Sequence, residues 1–87
     1  MKIMKFIEPR PYAAPELAAR KLLDLVRASI AESGQQHAYT GAVNTAFLRA
    51  GGSVDEYTAG RKYAAAQKWF EIERSGTRII LLPDGAE

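Results

Sequence analysis

The stretch WFEIERSGTRIILLPDG, residues 69–85, decides the fold. Its two apolar-rich runs, 69–74 and 77–82, flank Ser75 and Gly76. Aromatic and β-branched runs on either side of a small polar pair predict a β-hairpin. With Ser75 and Gly76 as a two-residue loop, Phe70 faces Leu81 and Ile72 faces Ile79 on one side of the ribbon. Glu71 faces Ile80 and Glu73 faces Arg78 on the other. One face is wholly apolar, and the other carries a complementary charge pair. A lone two-stranded ribbon is marginal in water, so the apolar face demands a cover. The helices before it supply one.

Immediately upstream, VDEYTAGRKYAAAQK (54–68) is a helix opened by Ser53. Glu56 stands three residues after Ser53, the spacing of a capping box in which each side chain satisfies the other's orphan backbone donor. Val54, Tyr57, Ala64 and Ala65 lie broadly on one side of this helix, and Ala59, Tyr63, Ala66 and Phe70 on another. Gly60 costs about 1 kcal/mol relative to alanine in a helix interior, which points to a close packing contact. Arg61, Lys62, Gln67 and Lys68 are the polar content of the later turns. A shorter helix, GAVNTAFLRA (41–50), precedes it, with Thr40 as the expected N-cap and Val43, Phe47 and Ala50 on one face. Gly51 and Gly52 end that helix. Two helices across so tight a turn have helix–turn–helix spacing.

Further upstream, ELAARKLLDLVRASIAES (16–33) repeats apolar residues at Ala19, Leu22, Leu23, Val26 and Ile30, one face of an amphipathic helix. Pro15 suits its first position, Glu16 the positive end of its dipole, and Gly34 its end. Arg20, Lys21, Asp24 and Arg27 take the other face. QQHAY (35–39) is too short for a helix and fits one short strand. Residues 1–14 are read as an extended N-terminal segment, because Pro9 and Pro11 punctuate it and Pro15 bounds it; residues 3–7 could form a further strand. Residues 15–85 then make a single domain, as expected of an 87-residue chain.

The composition excludes several kinds of chemistry. There is no cysteine, and His37 is the only imidazole, so neither a disulfide nor a metal cluster is expected. No nucleophile–base pairing surrounds His37, and no glycine loop cradles a phosphate, so neither an enzyme nor a small-molecule substrate is expected. The apolar run near the N-terminus is broken by Lys5 and Glu8, too short for a signal or a span. A cytoplasmic, bacterial-type protein is the expectation. The net charge of +2 is unevenly spread: residues 69–87 hold Arg74 and Arg78 against Glu71, Glu73, Asp84 and Glu87.

The order of helix, short strand, helix pair and hairpin resembles the winged helix–turn–helix domain, an α+β fold of three helices with a C-terminal hairpin wing. YAAAQKWFEIERSGTRIILLPDG (63–85) is similar to the recognition helix and wing of MarR-like bacterial regulators. There a glycine is common at the helix–wing junction, where this chain has Lys68. Leu82, Pro83, Asp84 and Gly85 stand in the segment that closes the wing. The dimerisation helices of those regulators have no counterpart here. The resemblance implies a DNA-binding transcriptional regulator or accessory factor without cofactor. The helix at 54–68 would enter a groove, with Thr58, Arg61 and Lys62 toward bases or phosphates, and Arg74 and Arg78 at the wing tip. With so few cations a DNA-binding version would have to act as a homodimer. The alternative is an adaptor that docks a protein partner, which the acidic balance of residues 69–87 favours.

Overall fold

The computed structural model describes residues 10–86, and the strand expected at 3–7 lies outside them. Helix α1, Pro15–Ser33, begins with proline at its first position and stops at Gly34, whose φ of 75° returns its N–H to the Ile30 carbonyl. The expected apolar face is buried through Ala19, Leu22, Leu23 and Val26, and Ala18 joins it. Ile30 is only partly buried. Residues 10–14 are not simply extended: the Ala13 N–H turns back to the Arg10 carbonyl (3.3 Å).

Strand β1, His37–Tyr39, runs directly into α2, Thr40–Arg49. Thr40 is not the N-cap. Tyr39 holds that place without a side-chain bond. Thr40 instead donates its N–H to the Thr77 carbonyl (3.0 Å) and its hydroxyl to the Gly76 carbonyl (2.8 Å). Docking the hairpin loop has displaced the local cap. Val43 and Phe47 are buried as expected, whereas Ala50 is exposed. At the turn, a Cβ on Gly52 would fall 2.1 Å from the Phe47 ring, so only glycine lets the chain close there.

Helix α3, Val54–Ala66, starts with the capping box intact: Glu56 N–H donates to Ser53 Oγ (3.1 Å) and Ser53 N–H to Glu56 Oε1 (2.9 Å). Strands β2, Phe70–Ile72, and β3, Arg78–Leu81, pair in the expected register, Phe70 with Leu81 and Ile72 with Ile79. The other edge of β3 takes β1, giving an antiparallel sheet in the order β1-β3-β2. The loop departs from the two-residue form. Gly76, at φ 81°, donates its N–H to the Glu73 carbonyl (2.7 Å), and Glu73 N–H donates to the Arg78 carbonyl (2.8 Å). The reverse turn therefore spans residues 73–76, and residues 74–77 form the loop.

A fourth helix not read from the sequence, the single turn α4, Pro83–Ala86, ends the described residues. Leu82 N–H donates to the Trp69 carbonyl (3.0 Å), and Gly85 lies so near that a Cβ would meet that carbonyl at 2.0 Å. Arg27, placed by the sequence on the solvent side of α1, donates from both Nε and Nη2 to the Gly85 carbonyl. Phe47, Phe70, Leu22, Ile79 and Val26 are the largest fully buried side chains. Tyr57, Ile72 and Leu81 pack against them, each partly buried. The architecture is α+β, four helices with a three-stranded antiparallel sheet. No helix among the described residues is long and apolar enough to cross a membrane.

Candidate nucleic-acid interface

Gly60 sets how α3 is presented. A Cβ there would stand 2.7 Å from the Ala18 Cβ and 2.9 Å from backbone atoms of Ala18 and Ala19. The two helices touch nearly backbone to backbone where Gly60 meets Ala18 and Ala19. This corrects the expected stripes, in which Val54 and Ala65 shared the side of Tyr57 and Ala64. Val54 is 65% exposed, and Ala65 and Ala66 face solvent. The wheel went astray because the residue at the centre of the contact has no side chain to count.

The face of α3 turned away from α1 presents Val54, Asp55, Thr58, Lys62, Ala65 and Ala66, all exposed except the half-buried Thr58. Thr58 donates its hydroxyl proton to the Val54 carbonyl (3.1 Å), leaving its oxygen only as an acceptor toward an outside group. Lys62 is exposed on the middle of this face.

Arg61 lies at its edge, in an open groove also lined by Thr40, Gly41 and Asn44 of α2, Tyr57 of α3, and Ile72 and Gly76 of the hairpin. Its guanidinium carbon sits 6.0 Å from the centre of the Tyr57 ring. Its Nε is buried with no hydrogen-bond acceptor among the described residues. Burial pushes the Tyr57 phenol above its ordinary range, and the neighbouring Arg61 charge partly offsets this.

The hairpin arginines differ. Arg74, inside the loop, is exposed and enters no salt bridge among the described residues. Arg78 reaches Glu73 at 3.7 Å, and both side chains are well exposed. Such a pair contributes at most about 1 kcal/mol and yields readily to a better anion. The groove thus joins Arg61 to the hairpin through Ile72 and Gly76, while Thr58 and Lys62 stand on the adjoining outer face.

The end of α3 nearest the turn is held by a residue that helix periodicity could not have found. Arg10 forks onto Glu56, Nε to Oε2 (2.8 Å) and Nη2 to Oε1 (3.1 Å), and Nη2 also donates to the Gly51 carbonyl (2.9 Å). Hydrogen bonding and charge from Arg10 hold the Glu56 carboxyl below the usual carboxylate range, against the opposing pull of its own burial. Tyr12 follows, its ring 5.1 Å from that of Phe47. Asn44 and Gly41 were also missed as lining residues, since nothing local links the start of α2 to Arg61. Compared with protein-family models, curated proteins and solved structures, the chain finds no match.

Proposed function

We propose that this chain is a winged-helix DNA-binding domain, with α3 as the recognition helix and the β2–β3 hairpin as the wing. The observation that carries the proposal is the presentation of α3. One side is sunk against α1 through Gly60, while the opposite side offers Thr58 and Lys62, with Arg61 at its edge in a groove shared with Ile72 and Gly76 of the hairpin. A helix of 13 residues is about 20 Å long, and its small side chains allow close approach to a major groove. The sheet order β1-β3-β2 holds the hairpin against the start of α2, which suits a wing that follows the neighbouring backbone. In this reading Arg61, Lys62, Arg74 and Arg78 meet phosphates or groove edges, and Thr58 accepts from a base. The chain acts as a transcriptional regulator or accessory factor in a bacterial-type cytoplasm, as a homodimer.

A protein-docking module is the second reading. Val54 and Leu48, 65% and 39% exposed on either side of the α2–α3 turn, favour it. Titrating a mixed-sequence duplex across a salt series separates the two. The DNA reading expects binding that weakens with salt, and expects Arg74→Ala with Arg78→Ala to reduce the log–log slope by up to roughly two units. Absence of duplex binding at low salt would reject it and leave the docking module.

A further inference from the structure

We propose that the groove between α1 and α2 is the docking site of this chain's own residues 1–9, held there as an intramolecular strap. Leu25, Ala28 and Glu32 line it from α1, and Ala42, Val43 and Ala46 from α2. Its floor is apolar, with Val43 buried and Leu25 packed against the core. Ala28 and Ala42 are exposed, and their short side chains leave the channel open. A volume of about 210 Å³ is below the roughly 300–1,000 Å³ of small-molecule sites. It suits a few apolar side chains presented by a peptide. Neither α3 nor the hairpin lines it, so the inference stands whether or not the chain binds DNA.

Chemistry, reach and charge select the occupant. Residues 1–9, MKIMKFIEP, carry Ile3, Met4, Phe6 and Ile7, enough apolar surface to cover the floor. Their point of attachment is fixed. Arg10 is held at the α2–α3 turn by Glu56 and the Gly51 carbonyl, and Tyr12 lies against Phe47, the neighbour of Ala46. From Gly51 back to Ala42 is roughly 14 Å along α2. Residues 1–9 span about 30 Å when extended and about 14 Å even when wound into a helix, so the whole groove is within reach. Glu32 stands in the last turn of α1, where the helix dipole favours cations, and that turn holds no basic residue of its own. Lys2 and Lys5 supply the complementary charge. Tethering also gives the segment an effective concentration on the order of millimolar, so it fills its own groove ahead of one on another copy.

The test is NMR on the full chain, with isotope labels that separate contacts within one molecule from contacts between copies. Contacts of the Ile3, Phe6 and Ile7 side chains with the Ala28, Ala42 and Ala46 methyls are expected within one molecule, at every protein concentration. Ala28→Lys sets a long cation in the groove from an exposed position of α1, between Asp24 and Glu32 one turn away on either side, so the helix is kept while the site is filled. The contacts of residues 1–9 should then be lost, with the Gly60 amide signal unmoved as the check that the fold is intact. Phe6→Ser should remove the ring-current shift of the groove methyls, and it serves if Ala28→Lys fails to fold. Groove methyls that touch nothing in residues 1–9, or contacts that survive Ala28→Lys, would overturn the strap. Contacts seen only between differently labelled copies would overturn it too, and would give the groove to a second molecule of this chain.

Discussion

Gly60→Ala offers the most direct measure of how α3 is seated. Helix propensity alone favours the change by about 1 kcal/mol. The structure predicts the opposite sign. The new methyl would stand 2.7 Å from the Ala18 Cβ and 2.9 Å from both Ala18 C and Ala19 N. Carbon atoms rest at about 3.5–4.0 Å, so the helices must part by about 1 Å. No rotamer change relieves the clash, because the opposing atoms are a Cβ and backbone, and α1 is pinned by Leu22 and Val26 in the core. Overpacking of this kind costs about 1–3 kcal/mol, leaving a net loss of up to about 2 kcal/mol after the propensity gain. In a domain this small that lowers the melting temperature by up to roughly 16 °C. Gly41→Ala is the internal control. It is the same substitution in a helix, with open space around the added methyl among the described residues outside its own helix turn, and should stabilise by up to about 1 kcal/mol. Urea unfolding of both variants gives the two signs directly. A Gly60→Ala protein stabilised as much as Gly41→Ala would mean that α1 and α3 are not packed backbone to backbone.

Two further outcomes are expected. Lys68 holds φ at 62° just beyond α3, a region that disfavours residues with a Cβ by roughly 1–2 kcal/mol, so Lys68→Gly should raise stability. The greater freedom of glycine in the unfolded chain limits the gain to about 1 kcal/mol; a loss in urea titrations would show the strained backbone to be misassigned. Because Arg10 lowers the folded-state pKa of Glu56, the stabilisation from this pair is complete above the unfolded carboxylate value of about 4.3. It disappears as pH falls through the lower folded value. The stability gap between the parent and Arg10→Gln should therefore narrow from pH 5 downward, and a gap constant to pH 2 would refute the coupling.

Much of the fold was legible because local rules and tertiary demands agreed. The hairpin register followed from period-two burial, since any slip by one residue would have put Glu71 or Glu73 into the core. Ser53 and Glu56 announced the start of α3 because both halves of a capping box lie within four residues. Where the two kinds of demand conflicted, the local reading lost. Thr40 has the right chemistry for an N-cap, but its hydroxyl is used by a carbonyl 36 residues away. The fourth helix escaped notice because a one-turn helix carrying proline and glycine has no periodic signature. It forms because the Trp69 carbonyl accepts from the Leu82 N–H and Arg27 donates to the Gly85 carbonyl.

The candidate site was legible in its residue types and obscure in its geometry. Arg61, Lys62, Arg74 and Arg78 could be named from composition and position, yet sequence spacing could not distinguish an exposed arginine from a partly buried one. That difference arises where three separate elements meet, with Asn44, Tyr57 and Gly76 around a single guanidinium. The Arg10 clamp has the same origin. Glu56 already serves its own helix through Ser53, and the fork from Arg10 adds a contact 46 residues distant without displacing the first. Because the same guanidinium also holds the Gly51 carbonyl, residues 10–12 fasten both sides of the α2–α3 turn. Loss of Arg10 should therefore loosen the turn that orients α3 while leaving its capping box and its contact with α1 in place.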